Sequence, residues 1–155
     1  MKEHKYSATL KWNDKNGNGT TTYKAYSRNH QVNISGKASL LMSSDPAFMG
    51  DKTLHNPEDL LLTALASCHM LWYLHLCSQN GITVTDYQDG AEGTMLEKPI
   101  GGGHFKEVQL NPVVTILEAD KKEIAIKLHE QASQKCYIAN SCNFPIRHKP
   151  TIHSK

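Results

Sequence analysis

Asn56-Pro57-Glu58-Asp59-Leu60-Leu61-Leu62-Thr63-Ala64-Leu65-Ala66-Ser67-Cys68-His69-Met70-Leu71-Trp72-Tyr73-Leu74-His75-Leu76-Cys77-Ser78-Gln79-Asn80-Gly81 decides the fold. Asn56 is a natural N-cap, and Pro57 occupies the first helical position, where a missing N–H costs nothing. Glu58 and Asp59 meet the positive end of the helix dipole, and Gly81 supplies the stop, so the stretch predicts a helix of about 24 residues. Its leucines, Met70 and Trp72 wrap the cylinder instead of forming one stripe, which predicts a central, buried helix. The chain as a whole is only 39% hydrophobic. A helix without a hydrophilic face in such a chain predicts that a second subunit completes the core. The apolar run Leu60 to Leu76 is interrupted by Ser67, His69 and His75 and is shorter than the ~20 residues a bilayer demands, so it is not read as a membrane span.

Upstream of this helix, Tyr6, Ala8, Leu10 and Trp12 alternate with polar residues and predict a half-buried strand. The turn-rich run Asn13 to Gly19 then predicts a hairpin whose returning strand is Thr20 to Ser27. A third extended stretch, Val32 to Met42, follows the Arg28-Asn29-His30 corner, and Ser43 to Leu54 is a loop of a length usually kept for function. Downstream, Ile82 to Met95 and Phe105 to Leu117 read as strands of a second hairpin across Pro99-Ile100-Gly101-Gly102-Gly103. Asp120 and Glu123 suggest a capping box for a second helix, with Ile124, Leu128 and Ala132 on its buried face down to Cys136. The tail from Phe144 reads as an edge strand or loop. The order is α+β, with sheets enclosing helices in a single domain, 1–155. A chain of this size buries roughly two-thirds of its unfolded surface without staples.

Lys+Arg 17 against Asp+Glu 15 leaves a net charge of +2 without a basic run. Nucleic acid is therefore not expected as a partner. Met1 to Lys5 is charged and no apolar segment follows it, which reads as a cytoplasmic protein. In that compartment Cys68, Cys77, Cys136 and Cys142 are thiols, catalytic, redox-active or buried, and not a disulfide framework. The histidines show no ligand spacing: His69 and His75 fall on different helix faces, so no metal is expected. Gly101-Gly102-Gly103 lacks the strand before and helix after that a phosphate loop needs.

Cys68 sits in the middle of the long helix, where a small buried hydrophobe is the bland reading. Cys136 at the end of the second helix, the Glu58 carboxylate and Arg28, one of only two arginines, supply the parts of a reactive thiol site. Glu58 and Cys68 are ten residues apart, about 15 Å of rise, and cannot touch within one straight helix. Two copies packed antiparallel about a two-fold axis near Thr63 would bring Glu58 of one subunit level with Cys68 of the other. Cys77 and Cys142 read as packing thiols.

Asn56-Pro57-Glu58-Asp59-Leu60-Leu61, Ser67-Cys68-His69-Met70 and Cys136-Tyr137-Ile138-Ala139-Asn140-Ser141 together resemble the OsmC/Ohr family, thiol peroxidases that reduce organic hydroperoxides. The resemblance implies an OsmC-like domain in which two β-sheets enclose central helices in an intertwined homodimer, with sites at the subunit interface. It implies Cys68 as the peroxidatic thiol, Cys136 as the resolving thiol and Glu58 as the carboxylate of an Arg/Glu pair, with Arg28 as the upstream arginine. It also implies an antioxidant role in oxidative stress and no cofactor beyond an external dithiol reductant. A Cys68–Cys136 link would require Cα atoms about 4.4–6.8 Å apart. Two departures stand out: Tyr137 follows Cys136 where the family commonly has proline, and Ser43 to His55 holds no arginine. Met70, Leu71, Trp72, Phe48 and Met49 are expected to favour an alkyl or lipid hydroperoxide. The alternative is a non-enzymatic dimer of the same fold that senses redox state through its thiols or serves a structural role.

Overall fold

The computed structural model describes residues 2–14 and 17–155. It divides into two compact units, Met1–Leu60 and Leu61–Lys155. In the first, β1 (Thr9–Lys11), β2 (His30–Asn33) and β3 (Leu40–Met42) form an antiparallel sheet in that order. Leu10 lies opposite Val32, and Gln31 opposite Leu41. The hairpin predicted from the sequence is corrected here, because Thr20 to Ser27 forms turns and bends and the partner of β1 is β2. The cause is local. The Arg28 guanidinium donates to the carbonyls of Tyr26 at 2.5 Å and Tyr23 at 2.6 Å, and Trp12 Nε1 donates to the Ser27 carbonyl at 2.7 Å. Carbonyls bound to side chains are lost to a strand ladder. Of the predicted turn, Lys15 and Asn16 lie outside the described residues.

The loop before the long helix is held by its own polar groups. Buried Ser43 donates from Oγ to Asn29 Oδ1 at 2.8 Å and accepts from Asp51 N at 3.0 Å. Asp45 caps a 3-10 turn, Pro46–Phe48, through Ala47 N at 2.7 Å. Gly50 closes the loop so tightly that a Cβ there would stand 1.7 Å from the Ser44 carbonyl oxygen. Gly50→Ala is expected to force the loop open and cost about 1–3 kcal/mol. A urea midpoint equal to wild type would show that the backbone yields freely.

Asn56 and Asp59 form the reciprocal cap: Asp59 N donates to Asn56 Oδ1 at 2.8 Å and Asn56 N to Asp59 Oδ2 at 3.2 Å. The helix they open, α1 (Pro57–Gln79, 23 residues), crosses from the first unit into the second. It ends where Gly81 takes φ 62° and Ile82 N reaches back to the Cys77 carbonyl at 3.0 Å, a left-handed C-terminal cap. Lys121 Nζ adds hydrogen bonds to the carbonyls of Asn80 at 3.2 Å and Gly81 at 2.8 Å. The span argument from length is also corrected, because the helix is long and apolar enough to cross a bilayer. Its buried residues, Leu65, His69, Tyr73, Leu76 and Cys77, include two polar rings and serve a protein core.

In the second unit, β4 (Val84–Asp89), β7 (Pro112–Ile116) and β9 (Thr151–Ser154) form one sheet, and β5 (Glu92–Glu97), β6 (Gly103–Leu110) and β8 (Ile146–His148) another. Each long strand read from the sequence is thus two strands. The break is pinned by Asn111, whose N donates to Asp89 Oδ1 at 2.7 Å and whose Nδ2 donates to the Gly90 carbonyl at 2.9 Å. The tail supplies both outer strands, β8 parallel to β6 and β9 parallel to β7. Tyr73, Leu76, Cys77, Val114, Ile116, Ala125 and Leu128 make one core cluster, and Leu65, Val108 and Leu110 a second.

Helix α2 (Lys122–Lys135) follows a 3-10 turn, Ala119–Lys121, and has no side-chain cap. The Asp120–Glu123 box is therefore not formed. Its buried residues are Ala125, Leu128, His129 and Ala132, whereas Ile124 is exposed. Leu128 and Ala132 face inward as expected, and the smaller Ala125 completes the buried face in place of Ile124.

Candidate functional site

Cys68 lies midway along α1, partly exposed, and Cys136 is the buried residue that caps the C-terminus of α2. Both are free thiols within the second unit. They interact directly: burial first, then the Cys68 side chain, pushes the Cys136 thiol up to about 11. Against this, Ala139 N donates to Cys136 Sγ at 3.4 Å. Cys136 therefore keeps its proton at neutral pH, and Cys68 is the accessible member of the pair.

The neighbourhood on α1 follows from helical spacing. Leu71, Trp72 and His75 lie three, four and seven residues beyond Cys68, hence on its side of the helix. They line an open depression of about 250 Å³. Trp72 is packed edge-on against Tyr137, which follows Cys136, with centroids 5.9 Å apart, and Lys135 Nζ stands 5.6 Å above its ring. The thiol pair is thus bordered by an aromatic rim carrying one cation. Thr63, Ser67, Leu71 and His75 form a stripe along α1 that this chain leaves exposed.

The other two candidates belong to the first unit. Glu58 is half-buried in the first turn of α1. Arg28 is committed to its own turn, because beyond its two carbonyl bonds its guanidinium lies 4.4 Å from the Tyr23 ring centroid and 4.0 Å from that of Tyr26. Among the described residues it makes no ion pair with Glu58. Phe48 and Met49 also lie in the first unit.

The spare cysteines have distinct surroundings. Cys77 is buried beside Tyr73, and burial raises its thiol. Cys142 donates to the Ile138 carbonyl at 3.3 Å, and burial raises it also.

One cluster escaped the sequence reading. His69 Nε2 and His129 Nδ1 are 2.9 Å apart, both rings are buried, and His148 lies within 5.5 Å of the His69 ring centroid. Tyr73 stacks on His129 at 3.8 Å. Burial lowers His69 to about 4 and His129 to about 3, so both are neutral. The available signal was positional: His129 follows Leu128 and lies four residues after Ala125 on the inward face of α2. Among the described residues no three His, Cys, Asp or Glu side chains converge to hold a metal ion.

Residues 50–151 match the family described as OsmC-like protein. Among solved structures, the chain is similar to an OsmC-like protein of unknown function from Vibrio cholerae, at 27% identity and a TM-score of 0.87 over 96% of this chain and 100% of that one. An organic hydroperoxide resistance protein from Elizabethkingia anophelis shares the fold at 18% identity and a TM-score of 0.69, covering 99% of each chain. One from Legionella pneumophila does so at 19% and 0.71, again over 99% of each. No curated protein matches the chain.

Proposed function

The chain belongs to the OsmC-like protein family, and from that premise we propose that it is a thiol peroxidase that reduces organic hydroperoxides through Cys68 and Cys136. The observation that carries this reading is the direct interaction of an accessible Cys68 with a buried, protonated Cys136. In the first step the Cys68 thiolate attacks the distal oxygen of ROOH. The O–O bond breaks, the distal oxygen keeps its hydrogen as Cys68 becomes a sulfenic acid, and the leaving RO⁻ takes a proton from water to depart as ROH. The Cys136 sulfur then displaces the hydroxyl, which departs with the Cys136 proton as water and leaves a Cys68–Cys136 disulfide. An external dithiol reduces it by exchange.

In this proposal the exposed Thr63-Ser67-Leu71-His75 stripe is covered by a second copy, and the partner's first turn of α1 supplies the Glu58 carboxylate. Arg28 would enter the site already held by Tyr23 and Tyr26, which use two of its five donors. The aromatic rim of Trp72 and Tyr137 favours an alkyl or aryl R group over hydrogen peroxide.

The engagement of Arg28 with its own turn favours a second reading, a thiol redox sensor on the same fold. Consumption of cumene hydroperoxide by the purified protein with excess dithiothreitol separates the two. A peroxidase consumes many equivalents. A protein that is not a peroxidase leaves consumption at the rate of dithiothreitol alone, and that outcome would overturn the proposal.

A further inference from the structure

The two helices that carry the thiols meet at a second point. His69 follows Cys68 directly on α1, and His129 lies seven residues, about two turns and 10 Å, before Cys136 on α2. Ala125, Leu128 and Ala132 of α2 pack in one core cluster with Tyr73, Leu76 and Cys77 of α1, a contact that holds the helices together but is not directional. The contact between His69 Nε2 and His129 Nδ1, 2.9 Å long, holds a second point two turns away.

The chemistry of that contact is specific. His69 and His129 are 2% and 0% exposed, so neither hydrogen-bonding group has bulk water as a substitute. His129 Nε2 is buried with no partner. An orphaned buried N–H is rarer and costlier than an orphaned lone pair, which assigns the proton of His129 to Nδ1 as donor and makes His69 Nε2 the acceptor. The rings lie nearly parallel, 11° apart, and Tyr73 stacks on His129 with centroids 3.8 Å apart. One directional bond between two neutral rings thereby spans the two helices inside the core. Leucines would fill this space without leaving an unpaired nitrogen, so packing alone does not account for imidazoles here.

We propose that His69 and His129 are positioning residues for the thiol pair, their hydrogen bond holding α2 at the angle that keeps Cys136 against Cys68. The inference rests on the peroxidase reading only for its purpose, the resolving step. In that step Cys136–S–H and Cys68–S–OH form the S–S bond and release water, and its rate depends on how often the two sulfurs are in reach.

The test measures the disulfide without peroxide. The protein is equilibrated in mixtures of reduced and oxidised dithiothreitol, where the two Cys thiols give two hydrogens to the oxidant as the disulfide forms, and the Cys68–Cys136 link is quantified by mass spectrometry. His129→Phe keeps the stack on Tyr73 and removes both nitrogens. His129→Asn keeps a donor near the Nδ1 position. The phenylalanine variant is expected to lower the equilibrium constant for the disulfide at least tenfold while melting within a few degrees of wild type, because loss of the unpaired His129 Nε2 offsets the acceptor left unpaired at His69 Nε2. The asparagine variant is expected to remain within threefold of wild type.

At His69 the same comparison uses glutamine, which retains an acceptor, and phenylalanine, which does not, so a variant that fails to fold at one position leaves the other informative. Unchanged disulfide equilibria in the phenylalanine variants overturn the proposal. So does an equal loss in the conservative and disruptive variants. A protein that forms the disulfide as expected but consumes no hydroperoxide defeats the peroxidase reading and leaves the positioning role standing.

Discussion

Replacing Cys68 by serine is expected to abolish hydroperoxide turnover, a loss of more than about a thousandfold, because a serine hydroxyl does not ionise near neutral pH and has no nucleophilic sulfur to oxidise. Cys136→Ser is expected to act differently. Its Cys68 still reacts with the first equivalent of peroxide, but the sulfenic acid has no thiol to condense with and proceeds to sulfinic acid in excess oxidant. Intact-mass spectra taken during a peroxide titration distinguish the two variants. A Cys68→Ser protein that keeps turning over would move the chemistry to Cys77 or Cys142. Burial raises both of those thiols, and Cys77 is only 1% exposed.

The second large effect is on stability in mild acid. Burial lowers His69 to about 4, with His148 adding to it, and lowers His129 to about 3, with His69 and His148 adding to it. In the unfolded chain both titrate near ~6.5. The folded state holds them neutral while the unfolded state takes up protons. The stability is therefore fully present above about pH 6.5 and is lost as pH falls toward the folded values, at about 1.4 kcal/mol per pH unit for each ring. Burial lowers His148 as well, opposed by the Glu130 carboxylate, and it acts in the same direction. Two rings together cost about 2–3 kcal/mol per unit, against a total stability of ~5–15 kcal/mol for a domain. Urea midpoints should fall steeply from pH 6.5 to 5 and be flat from 7 to 8. His129→Phe should flatten the acid limb, and a midpoint independent of pH over the whole range would mean that the rings are not held neutral.

What could be read without coordinates divides along a physical line. Asn56, Pro57, Asp59 and Gly81 act within one turn of themselves, and the helix begins and ends where they say. Cys68 and Cys136 are 68 residues apart in sequence, and only the family resemblance relates them there. The failures are places where a side chain competes for backbone groups or where neighbouring residues of one helix could each complete its buried face. Arg28 takes the carbonyls that the stretch from Thr20 to Ser27 would need for a ladder, and alternation of residue types carries no trace of that. On α2 the buried face runs through Ala125, Leu128, His129 and Ala132, and Ile124 falls just outside it. The histidine cluster depends on three elements distant in sequence, and its one local trace is the place of His129 on the inward face of α2.

The placement of the tail bears on the order of events during synthesis. β8 and β9 complete two different sheets, and only Lys149 and Pro150 separate them. Both strands pair in parallel with partners that leave the ribosome well before them. Neither sheet acquires its outer strand until the polypeptide has been made almost to Ser154, and β8 also delivers His148 to the rings on α1 and α2. Such late, non-local closure is slow compared with helix formation, and it leaves β6 and β7 each with an open edge in the nascent chain. A chain cut short before Ile146 would carry the residues of both helices and lack the outer strand of both sheets.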